Sequence, residues 1–157
     1  MGETEDKSKP KEKRIEEKEK LEAEVERSLA VARMKEAHMK IEDIEKVRKR
    51  SALLSVRKRI ANTMTDFTNE AKILNETEST NLAIDPRTEA YLLDDERTYR
   101  SVRADFQKTL EIKDEDMKKL FPEIEIERDT SSNAGTSLLC IVYQLADMNV
   151  YCERMLT

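Results

Sequence analysis

Apolar residues fall into helical register from Leu53 onward. Leu53, Val56, Ile60, Met64 and Phe67 step by three, four, four and three, which puts them on one face of a helix. Upstream the pattern is thinner. A heptad trace runs through Val25, Ala32, Met39, Leu53, Ile60 and Phe67, but Lys46 interrupts it. Its companion positions, Glu36, Asp43, Arg50 and Arg57, are charged. The paired apolar seam of a dimeric coiled coil is therefore missing, and a single helix lying on another surface fits better. Opposite charges spaced four apart, such as Glu16 with Lys20 and Glu42 with Lys46, support a solvated helix here.

Downstream, Asp85-Pro86 marks a helix start, with Asp as N-cap and Pro at the first helical position. Leu92, Tyr99, Val102, Phe106 and Leu110 share a face of that helix, which is expected to run to about Ile112. Asp114 is expected to cap a short turn of helix that stops before Pro122. Glu123-Ile124-Glu125-Ile126-Glu127 alternates with period two, the pattern of a short edge strand. The polar runs Asn75 to Asn81 and Asp129 to Ser137 read as loops. The last twenty residues set Leu138, Val142, Leu145, Met148, Cys152 and Met155 at helical spacing, although the β-branched Ile141-Val142 leaves a strand open.

Punctuation of the chain agrees with this reading. Between Pro10 and Pro86 lie 75 residues with neither proline nor glycine. The fold expected is mainly α: a disordered lead-in at 1–10, one long extended charged helix over 11–74, and a smaller helical cluster over 85–157, with at most one short strand. Charged residues make up 40% of the 157 residues and aromatics 4%, which predicts a small core placed in the C-terminal half. No apolar run approaches the ~20 residues that a membrane span needs.

Charge changes the picture more than its sum of −5 suggests. Residues 1–45 carry −3 and residues 65–157 carry −9, while residues 46–64 carry +7 with no acid among them. That band consists of Lys46, Arg48, Lys49, Arg50, Arg57, Lys58 and Arg59, and it is the strongest candidate site. Lysines and arginines on one side of a helix can neutralise phosphates, giving salt-sensitive binding without sequence specificity. The apolar stripe Leu53, Val56, Ile60, Met64 and Phe67 would then dock on protein. The bland alternative is a solvated face offsetting the acidic arms. Two basic clusters, 48–50 and 57–59, also fit a nuclear-import signal, and a basic amphipathic helix fits a calmodulin-type partner or a membrane surface.

Other chemistry is sparse. His38 is the sole histidine, with no second His or Cys near it in sequence, so neither a metal site nor a hydrolytic triad is expected. Cys140 and Cys152 match no CxxC spacing and read as two reduced core residues. The triplets Asp94-Asp95-Glu96 and Asp114-Glu115-Asp116 lack the central Gly and the twelfth-position Glu of a calcium loop. The second fits a helix N-terminus instead. No cofactor and no enzymatic activity are expected. The acidic N-terminus does not look like a mitochondrial presequence, and no signal peptide precedes the Asn75-Glu76-Thr77 sequon.

The charged stretch, then Thr65-Asp66-Phe67-Thr68-Asn69-Glu70, then Asn81-Leu82-Ala83-Ile84-Asp85 resembles, over about residues 15–90, metazoan mitochondrial small-subunit ribosomal proteins of the twenty-sixth family. Leu82 stands where that family carries an aromatic. The resemblance implies a non-catalytic mitochondrial component lying along ribosomal RNA and neighbouring ribosomal proteins. The alternative is a helical cytoskeletal or scaffold protein, cytoplasmic, that meets a helical protein partner through protein–protein contacts.

Overall fold

The computed structural model describes residues 2–76 and 83–157, with side chains from Pro10 onward. It is 87% helical. Four helices follow one another: α1 (Gly2–Glu76), α2 (Pro86–Thr109), α3 (Asp114–Leu120) and α4 (Ser131–Leu156), with no strand among the described residues. The mainly α fold with one long helix followed by a smaller helical cluster is thus as the periodicity predicts. The helix begins at Gly2, so it includes the stretch expected as a lead-in. Pro10 sits inside it, where a missing amide and a crowded ring weaken the preceding turn. The expected loop at Asn75 also starts late, because α1 continues through Glu76. Residues 77–82, with Asn81 and Leu82, lie outside the described residues.

The chain divides into two compact units, Met1–Val47 and Arg48–Thr157. Within the first, every residue from Pro10 to Val47 is exposed. Among the described residues, all the buried ones belong to the second, from Val56 onward. There the spacing that begins at Leu53 continues through Thr63, Phe67, Ala71 and Leu74, and this stripe packs into one core with α2, α3 and α4. Phe106 is the pivot. Its ring meets Phe121 edge-on at 5.3 Å and Tyr151 at 6.0 Å, the offset geometry that aromatic quadrupoles prefer.

The caps explain where α2 to α4 begin and end. Asp85 has extended backbone and accepts from the Thr88 amide at 2.7 Å, while Pro86 occupies the first turn, where its missing amide costs nothing. α2 stops at Thr109, three residues earlier than expected, because Glu111 takes a left-handed φ of 54°. Gln107 Nε2 bonds the Ile112 carbonyl at 3.1 Å and closes that turn. In α3 the cap position falls on Lys113, one residue before the expected Asp114. Asp114, Glu115 and Asp116 fill its first turn, where negative charge suits the helix dipole.

Two segments differ from the sequence reading. Residues 131–137 are helical, not loop: Thr130 caps α4 by accepting from the Asn133 amide at 3.1 Å. Ser, Thr, Asn and Asp favour loops and helix caps by the same side-chain hydrogen bonds, so composition alone does not separate the two. Residues 123–127 do not form the possible strand. Their amides find side chains instead, Ile124 N donating to the Tyr99 hydroxyl at 3.2 Å and Glu127 N to Ser137 Oγ at 3.1 Å. Ile126 alone of this segment is buried.

Candidate functional site

The basic band lies on α1, and the helical period distributes its members around the axis. Arg57 and Arg59 flank the buried positions Val56 and Ile60 on opposite sides, so each faces a neighbouring helix. Arg57 Nη2 pairs with Glu153 of α4 at 3.1 Å. Arg59 pairs with Asp105 of α2 and donates to Ser101 Oγ at 2.8 Å. One turn before the core begins, Arg50 Nη1 donates to the Leu156 carbonyl at 3.2 Å, a cation at the electronegative end of α4. Lys58 points away from all three contacts and is exposed.

Arg48, Lys49 and Lys58 make no ion pair or hydrogen bond among the described residues. Nor does Lys46, the member of the band that belongs to the first unit. The seven cations therefore split into three engaged arginines and four unengaged groups. The engagement is shallow. Arg57 and Glu153 keep 42% and 45% of their side-chain surface in water, and such pairs are worth about 0.2–1 kcal/mol. A phosphate that offered Arg57 a bidentate contact would compete with its carboxylate partner on nearly even terms.

The stripe expected to dock on another protein is internal. Val56, Ile60 and Phe67 are buried, and Leu53 and Met64 pack against the same cluster. The face that periodicity marks as apolar is covered by α2 and α4 of this chain, whose own stripes supply the matching surface.

A longer run of exposed apolar side chains lies further upstream. Ten large apolar side chains between Ile15 and Val47 are each at least half exposed. Leu21, Val25 and Leu29 line one shallow groove, and Met34, Ala37 and Ile41 another. Ala30, Met34, Ala37, Ile41 and Ile44 follow a four-three-four-three spacing that the heptad trace through Val25 and Met39 does not include. That spacing is the sequence signal for this face. Between the apolar positions the helix holds itself with one-turn pairs such as Lys40 with Glu36 at 3.4 Å.

The remaining candidates settle into structural roles. His38 Nε2 lies 3.1 Å from Glu42 one turn later, and both are exposed. Cys152 is buried, and burial pushes its thiol up to about 11, which makes it unreactive near neutrality. Cys140 is exposed, so only one of the two cysteines is in the core. Glu96 of the first acidic triplet bonds Arg128, which also reaches Glu89 at 3.3 Å. Among the described residues no helix is long and apolar enough to cross a membrane. No protein-family model, no curated protein and no solved structure matches this chain.

Proposed function

We propose that the protein is a non-enzymatic structural component of a larger assembly, and that residues 15–47 of α1 are the part that engages a protein partner. One observation carries this reading. Large apolar residues recur through a segment of the first unit in which every described residue is exposed. At ~25 cal/mol per Å² of apolar surface, covering even half of that area outweighs the shallow ion pairs of the basic band several times over. A partner helix of complementary pattern is the chemistry such a face accepts.

A second reading belongs to the unengaged cations. Lys46, Arg48, Lys49 and Lys58 favour contact with a polyanion, and with the family resemblance they suit a ribonucleoprotein subunit, specifically the mitochondrial small ribosomal subunit. Here partners would be ribosomal RNA and neighbouring ribosomal proteins. Four phosphate contacts imply that affinity for single strands falls with a log–log salt slope of about −3.

Affinity capture of the full chain from cells, with and without ribonuclease, separates the two. The first reading expects a protein partner that survives ribonuclease and high salt and is lost in a Met34→Glu, Ile41→Glu double variant. Capture abolished by ribonuclease and untouched by that variant would instead favour the ribonucleoprotein subunit.

A further inference from the structure

Helix α1 carries two serine hydroxyls that the fold leaves idle. Thr63, Thr65 and Thr68 each donate to the carbonyl four residues back, at 2.8, 3.2 and 2.7 Å. Among the described residues, Ser51 and Ser55 make no such bond, and both are exposed. Their surroundings differ. Arg48, Lys49 and Arg50 directly precede Ser51, whereas Ala52, Leu53 and Leu54 precede Ser55. The helical period sets Arg48 and Lys58 on the same face as Ser51, three residues before it and seven after. That face lies opposite the buried positions Val56 and Ile60, and neither cation has a partner among the described residues.

Consecutive cations ahead of a free hydroxyl are what a basic-directed serine kinase reads, because carboxylates in its substrate cleft bind them. Such an enzyme takes its substrate extended, so the turn around Ser51 must open. Opening it uncovers no core. Every residue from Pro10 to Ala52 is exposed, and Val56 is the first buried one among the described residues. Apart from its own backbone bonds, the turn gives up the 3.2 Å contact from Arg50 to the Leu156 carbonyl. A stretch with so few buried contacts belongs to the part of a fold that opens locally most readily.

We propose that Ser51 is a phosphorylation site for a basic-directed serine kinase, and that its phosphate weakens the grip of the neighbouring cations on a polyanion. In the transfer, Ser51 Oγ bonds the γ-phosphorus of ATP as the bond to the β,γ-bridging oxygen breaks. ADP departs, and the hydroxyl hydrogen passes to the kinase's base. The phosphate adds about −1.5 to −2 charges to a stretch, residues 46–64, that holds +7. Arg48, one turn before it on the same face, is the first cation it engages. The weakened grip rests on the polyanion reading given above, whereas the modification site does not.

The test treats the full chain with ATP and the catalytic subunit of cyclic-AMP-dependent protein kinase, and maps the phosphate by fragmentation mass spectrometry. Binding of poly(U) by both forms is then measured across a range of salt concentrations. The site expects phosphate on Ser51, with transfer lost in Ser51→Ala, a change that an exposed helical position accepts. The weakened grip expects the log–log salt slope to shrink from about −3 to about −1.5, as about two of four phosphate contacts are cancelled. No transfer to the folded chain, or phosphate on Ser55 in place of Ser51, overturns the site. An unchanged slope after full transfer to Ser51 overturns the weakened grip. Poly(U) that binds neither form overturns the polyanion reading and the weakened grip with it, while the mapped phosphate still decides the site.

Discussion

Gln144 joins three segments through one carboxamide. Its Oε1 accepts from the Tyr99 hydroxyl on α2, and its Nε2 donates to the Pro122 carbonyl at 2.5 Å. The same hydroxyl accepts from the Ile124 amide at 3.2 Å, so one buried network replaces the strand pairing that residues 123–127 lack. Burial also holds the Tyr99 phenol above its ordinary value, which keeps it neutral and able to donate. Gln144→Leu preserves volume but leaves the Pro122 carbonyl without its donor and the Tyr99 hydrogen without its acceptor. It should cost about 2–4 kcal/mol in urea unfolding, against under ~1 kcal/mol for Arg57→Ala, whose pair lies in water. Gly135 is a milder case. A Cβ there would come within 2.5 Å of Asn75 Oδ1, a side-chain end that can swing aside. The steric cost of Gly135→Ala thus sets itself against the ~1 kcal/mol that Ala gains over Gly in a helix interior.

At the scale of elements, α4 depends on a cap whose residues look like loop. Asn133 Nδ2 donates to Asp129 Oδ2 at 2.9 Å and its amide donates to Thr130 Oγ1, so residues 129–133 close the first turn on themselves. Thr130→Ala should lower stability by about 1 kcal/mol, and amide hydrogen exchange should quicken in the first turn of α4 before the rest. At the start of α2, the Thr88 amide holds the Asp85 carboxyl below the ordinary carboxylate range. That contribution is present above the ordinary value and is lost as pH falls through the depressed one. Asp85→Asn, which caps without charge, should therefore unfold with less acid sensitivity than the wild type. The N-cap at Asp85 was legible from Asp-Pro alone. The one at Thr130 was not, because Ser and Thr serve loops and caps alike until a following helix has a core to join.

On the scale of the whole molecule, the core lies in one unit, while the other, among its described residues, carries exposed apolar side chains and no buried ones. Every buried residue among those described lies at Val56 or later, within Arg48–Thr157. A chain beginning at Arg48 should therefore unfold at the same urea midpoint as the full protein, while losing the captured protein partner. A large drop in midpoint would show instead that residues 2–47 contribute to the fold. The division also bears on the basic band. Its arginines are partly tied to α2 and α4, whereas Lys46, Arg48, Lys49 and Lys58 stay in water.

Local chemistry determined what a few neighbouring residues can decide. The breaker-free run after Pro10, the Asp85-Pro86 start, the stop before Pro122 and the three-four spacing from Leu53 each act within a turn or two, and each is visible in the order of residues. Tertiary packing decided what depends on distant partners. It turned the Leu53–Phe67 stripe inward, because α2 and α4 present apolar faces to the same side of α1. It gave Arg57 and Arg59 carboxylates that stand 96 and 46 residues away in sequence. Periodicity names a helix and its apolar face, but the element that covers that face is chosen only when segments far apart in the chain come together.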